Sequence, residues 1–85
     1  MARTPGEILE IDFMIPLRLS QQQLAKHLGI SPSAINRIVK GERVVTPRVA
    51  VMLANFFQTT PRFWLEAQME YSLDQYLRTQ EPPLT

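Results

Sequence analysis

The sequence predicts an all-α fold, a five-helix bundle with a helix-turn-helix inside it. Three observations carry that prediction. First, helix starts recur in one form. Thr4-Pro5, Ser31-Pro32, Thr46-Pro47 and Thr60-Pro61 each put a hydroxyl N-cap before a proline at the first helical position. There the missing N–H of proline costs nothing. Second, apolar residues recur at helical spacing between these starts, as in Val49, Met52, Leu53 and Phe56. Third, Gly29 and Gly41 stand where the second and third helices have to stop.

At 85 residues the chain makes one small domain with marginal buried surface. We expect residues 1–79 to form it, with the helix-turn-helix over 20–40. Residues 80–85, with Pro82-Pro83, read as a disordered tail. There is no cysteine, which excludes a disulfide and a thiolate metal site. The sequence shows no signal-like segment, so a reducing cytoplasm is the expected location. The apolar runs are far too short for a membrane span.

The first helix starts at Thr4-Pro5, with Glu7 complementing its N-terminus. Ile8, Leu9 and Phe13 face inward, and Ile15-Pro16 should end it, because the residue before proline avoids the α region. Ser20 caps the second helix, with Gln23 three residues on as a loose capping box. Leu24, Ala25 and Leu28 give its inward face, and Ile30 anchors the turn after Gly29. The third helix follows Ser31-Pro32, buries Ile35, Ile38 and Val39, and ends at Gly41. A short connection over 42–45 leads to the fourth helix, the expected centre of the core, which ends near Gln58-Thr59. The fifth runs from Thr60-Pro61 to about Arg78.

Function is read from the outward face of the third helix. Pro32, Ser33, Asn36, Arg37 and Lys40 share one side, and none is acidic. That face suits a helix placed in the major groove. Ser33 and Ala34 allow close approach, Asn36 can pair with adenine, and Arg37 can reach guanine or a phosphate. Gln21, at the start of the second helix, should point at the DNA backbone, with Lys40 and Arg43 on phosphates. The net charge is only +1, but it is unevenly placed. Residues 37–48 hold Arg37, Lys40, Arg43 and Arg48 against Glu42 alone. The positive charge therefore lies on and just after the proposed recognition helix. A solvated face on an ordinary helical bundle is the competing account.

The fifth helix is more apolar than one bundle face requires. We expect its spare side, with Tyr71, Leu73, Tyr76 and Leu77 at the centre, to be a homodimer interface. One recognition helix reads only a few base pairs, and a two-fold pair reads a palindrome.

Enzymatic readings find little. His27 has no partner at metal-ligand spacing. Glu66 and Glu70 lie four apart, as a solvated face does. Ser20, Ser31 and Ser33 serve as caps or groove-facing groups. No Gly-rich phosphate loop is present. No catalytic residue, metal or cofactor is expected.

Leu19-Ser20-Gln21, Leu24-Ala25-Lys26, Leu28-Gly29-Ile30-Ser31 and Ile35-Asn36-Arg37-Ile38 resemble the helix-turn-helix of phage repressors and Cro-like regulators. Over residues 4–78 the chain resembles the HigA (VapI-like) antitoxins of type II toxin–antitoxin systems. Pro5-Gly6-Glu7-Ile8-Leu9 matches their opening, Thr46-Pro47 with Val49-Ala50 their fourth helix, and Thr60-Pro61, Phe63-Trp64-Leu65, Gln68 and Tyr71 their last. The resemblance implies a phage-repressor-like bundle, double-stranded operator DNA as ligand, and a HigB-type mRNA endonuclease toxin as partner. Such a toxin should be basic, so Glu7, Glu10 and Asp12 on the first helix are the expected docking acids, with Glu66, Glu70 and Asp74 competing. The chain departs from the family at Pro32, where many members carry a base-reading glutamine, at Lys40, where many carry asparagine, and at Thr4, where a histidine is frequent. Two other readings stay open: a free-standing regulator with no toxin, and an interaction module whose helix-turn-helix is structural only.

Overall fold

A computed structural model describes residues 2–79. The expected tail over 80–85 lies outside the described residues. The regular elements are all helical. α1 (Pro5–Glu7) runs directly into a π-helical segment (Ile8–Met14), and α2 (Gln21–Leu28), α3 (Pro32–Val39), α4 (Pro47–Phe57) and α5 (Pro61–Thr79) follow. Counting α1 and its π continuation as one helix, this is the five-helix architecture that the sequence predicts.

The predicted caps form as local chemistry dictates. Thr4 Oγ1 accepts from Glu7 N–H at 2.9 Å, and Glu7 Oε1 accepts from Thr4 N–H at 2.9 Å. The same reciprocal box closes at Ser20 and Gln23, at 3.0 and 2.9 Å. Ser31, Thr46 and Thr60 each accept one backbone N–H three residues on. Each satisfies a donor that the helix cannot, worth about 1 kcal/mol per cap.

The first helix is wider than its sequence suggests. Ile15 N–H reaches back five residues to the Glu10 carbonyl at 2.9 Å. The extra residue per turn swings Met14 into the core beside Leu9 and leaves Ile11 and Ile15 exposed. Arg18, at φ 54°, then turns the chain into α2.

The core centres on α4, which contributes Val49, Ala50, Leu53 and Ala54. Leu9, Leu24, Ile35, Ile38, Leu53 and Trp64 are fully buried. An aromatic cluster joins three elements. The Phe13 ring lies 4.9 Å from Phe57 and 5.2 Å from Trp64, and Phe63 meets Trp64 edge-on at 5.0 Å. Trp64 Nε1 donates to Thr59 Oγ1 at 2.8 Å, so its one polar atom is satisfied. Gly6 is buried against the end of α3, and a Cβ there would run into the carbonyls of Ile38 and Val39. The first helix thus meets α3 backbone to backbone.

Candidate nucleic-acid interface

The turn between α2 and α3 is fixed by Gly29, at φ 75°. Its N–H and that of Ile30 both bond the Ala25 carbonyl, at 2.8 and 3.1 Å. A residue with a Cβ would be strained in this left-handed conformation. α3 ends in the same manner. Gly41 (φ 78°) donates to the Ile38 carbonyl at 3.0 Å, and Glu42 N–H reaches Arg37 at 2.8 Å, a Schellman closure. The chain therefore reverses at once, and the 42–45 connection stays alongside α3.

That connection is held from afar. Val45 is buried, and its N–H donates to Gln68 Oε1 of α5 at 2.8 Å. Gln68 Nε2 in turn donates to Ser72 Oγ at 3.0 Å. The loop carrying Arg43 is thus braced by α5. Periodicity and capping patterns give no signal for such a contact, 23 residues apart.

α3 buries Ile35 and Ile38 and exposes Pro32, Ser33, Arg37 and Lys40 on the opposite side. Arg43 is exposed beside them. Asn36 and Gln21 are half-buried and joined, with Asn36 Nδ2 donating to Gln21 Oε1 at 3.1 Å. Sequence spacing, which points Gln21 at the DNA backbone, does not show this pairing. Arg48 lies with Arg43, Ser31 and Ala34 along a shallow groove of about 180 Å³. It belonged to the basic block of the sequence but not to the expected contact set.

Among the described residues the ion pairs are Arg3–Asp12 at 3.1 Å, Arg62–Glu66 at 3.8 Å and Arg78–Asp74 at 3.2 Å. None involves Arg37, Lys40, Arg43 or Arg48. These four cations are exposed and, within the described chain, spoken for by no carboxylate. The hydrogen bond with Asp12 raises the Arg3 pKa above its ordinary value.

The acids of the first helix are not equivalent. Glu7 is occupied in its cap, Asp12 is held by both terminal nitrogens of Arg3, and Glu10 is half-buried. On α5, Glu66 and Asp74 pair with arginines one turn away. His27 is exposed and stacks at 5.0 Å on Phe56.

The α5 residues expected at a dimer interface divide between two sides. Leu73, Tyr76 and Leu77 are 55%, 59% and 62% exposed. Tyr71 is half-buried and, with Tyr76 at the rim, lines a groove of about 440 Å³ between Pro5, Gly6, residues 41–44 and α5. Residues two apart on a helix do not share a face, so Tyr71 cannot stand beside Leu73. Met69, 62% exposed, takes its place in an i, i+4, i+8 stripe with Leu73 and Leu77.

Fold and site together define a repressor-type helix-turn-helix protein. A helix-turn-helix family model matches residues 12–64. The chain is 42% identical over 69 residues to virulence-associated protein I of Dichelobacter nodosus, covering 81% of this chain and 64% of that protein. It thus spans just under two thirds of that relative's length. The solved Pseudomonas aeruginosa antitoxin HigA with the higBA promoter has 33% identity and a TM-score of 0.87, with 99% of this chain and 100% of that chain covered. An addiction-module antidote protein of the HigA family from Coxiella burnetii has 36% identity and a TM-score of 0.86, with 99% and 100% covered. The chain belongs to the helix-turn-helix family, in its HigA (VapI-like) branch. No helix among the described residues is long and apolar enough to cross a membrane.

Proposed function

We propose that this chain is a DNA-binding antitoxin. It reads double-stranded operator DNA through α3, represses its own operon and neutralises a HigB-type mRNA endonuclease. The observation that carries the DNA-binding half is the acid-free outer face of α3, continuous with Arg43 and Arg48. Ser33, Asn36 and Arg37 face base edges, Lys40 and Arg43 take phosphates, and Gln21 stands beside Asn36. The likeness to a HigA solved with its promoter supports the same reading.

The working unit is a homodimer joined through Leu73, Tyr76 and Leu77, with Met69 completing the stripe. Its two α3 helices then face half-sites about 34–36 Å apart, or a multiple of that. The toxin-binding half rests on the family. A complex that represses must hold toxin and operator together, so the toxin docks away from Ser33 to Arg43. The chain acts where the operon lies, in the cytoplasm, and carries out no reaction of its own.

Two measurements test the reading. Affinity for the DNA upstream of the gene, followed against salt, should fall steeply. Lys40→Ala should flatten that slope by about one unit across all sequences. Co-expression with the neighbouring reading frame should yield a complex that still binds that DNA. If an Asn36/Arg37 double alanine variant binds DNA as well as wild type, the site assignment is wrong. A neighbour that never co-purifies removes the antitoxin role and leaves a repressor.

A further inference from the structure

The connection between α3 and α4 carries Arg43, and little of its own backbone holds it. The bonds that close α3 reach as far as Glu42 N–H. The next backbone group in use is the Thr46 carbonyl, which opens α4. Among the described residues no backbone–backbone hydrogen bond involves Arg43, Val44 or Val45. Arg43 and Val44 are exposed. The connection is fastened inward at Val45, whose side chain is buried and whose N–H donates to Gln68 Oε1 at 2.8 Å.

That bond has one possible sense. A backbone N–H only donates, so the carbonyl end of the Gln68 amide has to face it. The amino end is then left for Ser72 Oγ, which it reaches at 3.0 Å. Both halves of the amide are used. Trp64, one turn earlier on α5, is fully buried and anchors the helix that carries them.

Arg48 is the contrast. It lines the same shallow groove as Arg43, yet it is the second residue of α4. The first turn of α4 is closed by Thr46, which accepts from Val49 N–H at 3.3 Å and from Ala50 N–H at 2.8 Å. Two adjoining cations thus have two different supports. An arginine on an unbraced connection loses backbone freedom each time it meets a phosphate, and one on a braced connection does not.

We propose that Gln68 is a positioning residue for DNA binding. It holds the 42–45 connection so that Arg43 meets its phosphate already placed, and Arg48 does not depend on it. This rests on the reading of α3 and its flank as the DNA-contacting side. The rival role for Gln68 is support of the fold alone.

The test uses the full chain and a fluorescein-labelled duplex of the DNA upstream of the gene, with anisotropy followed against salt. Arg43→Ala should weaken binding roughly five- to tenfold per phosphate contact at ~0.1 M salt, and lower the salt slope by about one unit per contact. Gln68→Met keeps the length of the side chain and removes the acceptor. It should lose most of the same affinity and slope. Combined with Arg43→Ala it should be no worse than Arg43→Ala alone, whereas combined with Arg48→Ala the two losses should add. Support of the fold alone would single out neither arginine. Circular dichroism and sedimentation check that each variant keeps its fold and subunit state. Hydrogen exchange on the unaltered chain is a second reading. Bound duplex should slow exchange at the Val45 amide by about fivefold or more, because a bond that favours DNA binding is favoured by it.

Wild-type affinity and slope in a folded Gln68→Met chain would overturn the proposal. So would losses that add between Gln68→Met and Arg43→Ala, or exchange at Val45 that the duplex leaves unchanged. If the chain with Arg43 and Arg48 both changed to alanine binds the duplex as well as wild type, the DNA-contact assignment itself fails, and this inference falls with it.

Discussion

Replacing Gly6 by alanine tests whether the first helix really meets α3 backbone to backbone. The new Cβ would overlap the Ile38 carbonyl oxygen and lie 2.7 Å from the Val39 carbonyl oxygen. Ordinary contact for such atoms begins near ~3.5 Å, and the overlap with the Ile38 oxygen sets the requirement, a withdrawal of well over ~1 Å. The obstructing atoms are backbone in the last turn of α3 and cannot rotate aside. Overpacking of this kind costs about 1–3 kcal/mol, of which alanine's better helix propensity returns up to about 1 kcal/mol. The net loss should be about 1–2 kcal/mol. In a domain of this size that lowers the melting temperature by roughly 4–16 °C. Thermal unfolding followed by circular dichroism reads it directly. Gly29 is the control, because a Cβ there meets nothing within 4 Å and only the left-handed backbone objects. Asparagine, which tolerates that conformation, should be mild at Gly29 and worse than alanine at Gly6. A Gly6→Ala chain melting within a degree of wild type would refute the close packing.

Four further outcomes are expected. Trp64→Ala should cost about 3–5 kcal/mol by urea unfolding, since it empties a fully buried site in the aromatic cluster. Gln58→Gly should raise stability by up to about 1 kcal/mol in the same assay, because Gln58 holds φ 60° at the end of α4. Gln68→Ala should strand the buried Val45 N–H at a cost of about 1–3 kcal/mol and speed hydrogen exchange at that amide. Leu73→Lys with Leu77→Lys should give a folded monomer by sedimentation and weaken operator binding without changing the preferred half-site.

Much of the fold is legible because its signals are local. A hydroxyl followed by proline marks a helix start within four residues, and Gly29 and Gly41 mark the two stops of the recognition unit. The π turn is not legible. Within it Phe13 packs against Phe57 and Trp64 and Met14 is buried, tertiary placements that a 3.6-residue period does not show. The outward face of α3 follows from spacing alone, except at Asn36, whose partner lies 15 residues back. The places of Gln68 beside Val45 and of Arg48 beside Arg43 come from the fold and not from their neighbours in sequence. Composition alone puts Tyr71 with Leu73, and rotation about the helix axis separates them.

Gln68 and Met69 are consecutive, yet one grips the loop of Arg43 and the other opens the outward stripe. α5 therefore presents one residue to the loop beside α3 and the next to the outward stripe. A side chain reaching about 5 Å from the helix axis travels roughly 0.9 Å when the rod turns by 10°. Directed along the bond, that displacement would stretch the 2.8 Å contact with Val45 beyond hydrogen-bond length. A body that turned α5 as it seated on Met69, Leu73 and Leu77 would strain the bond that holds the Arg43 loop. By reciprocity, DNA that pins the loop would fix the torque α5 can accept.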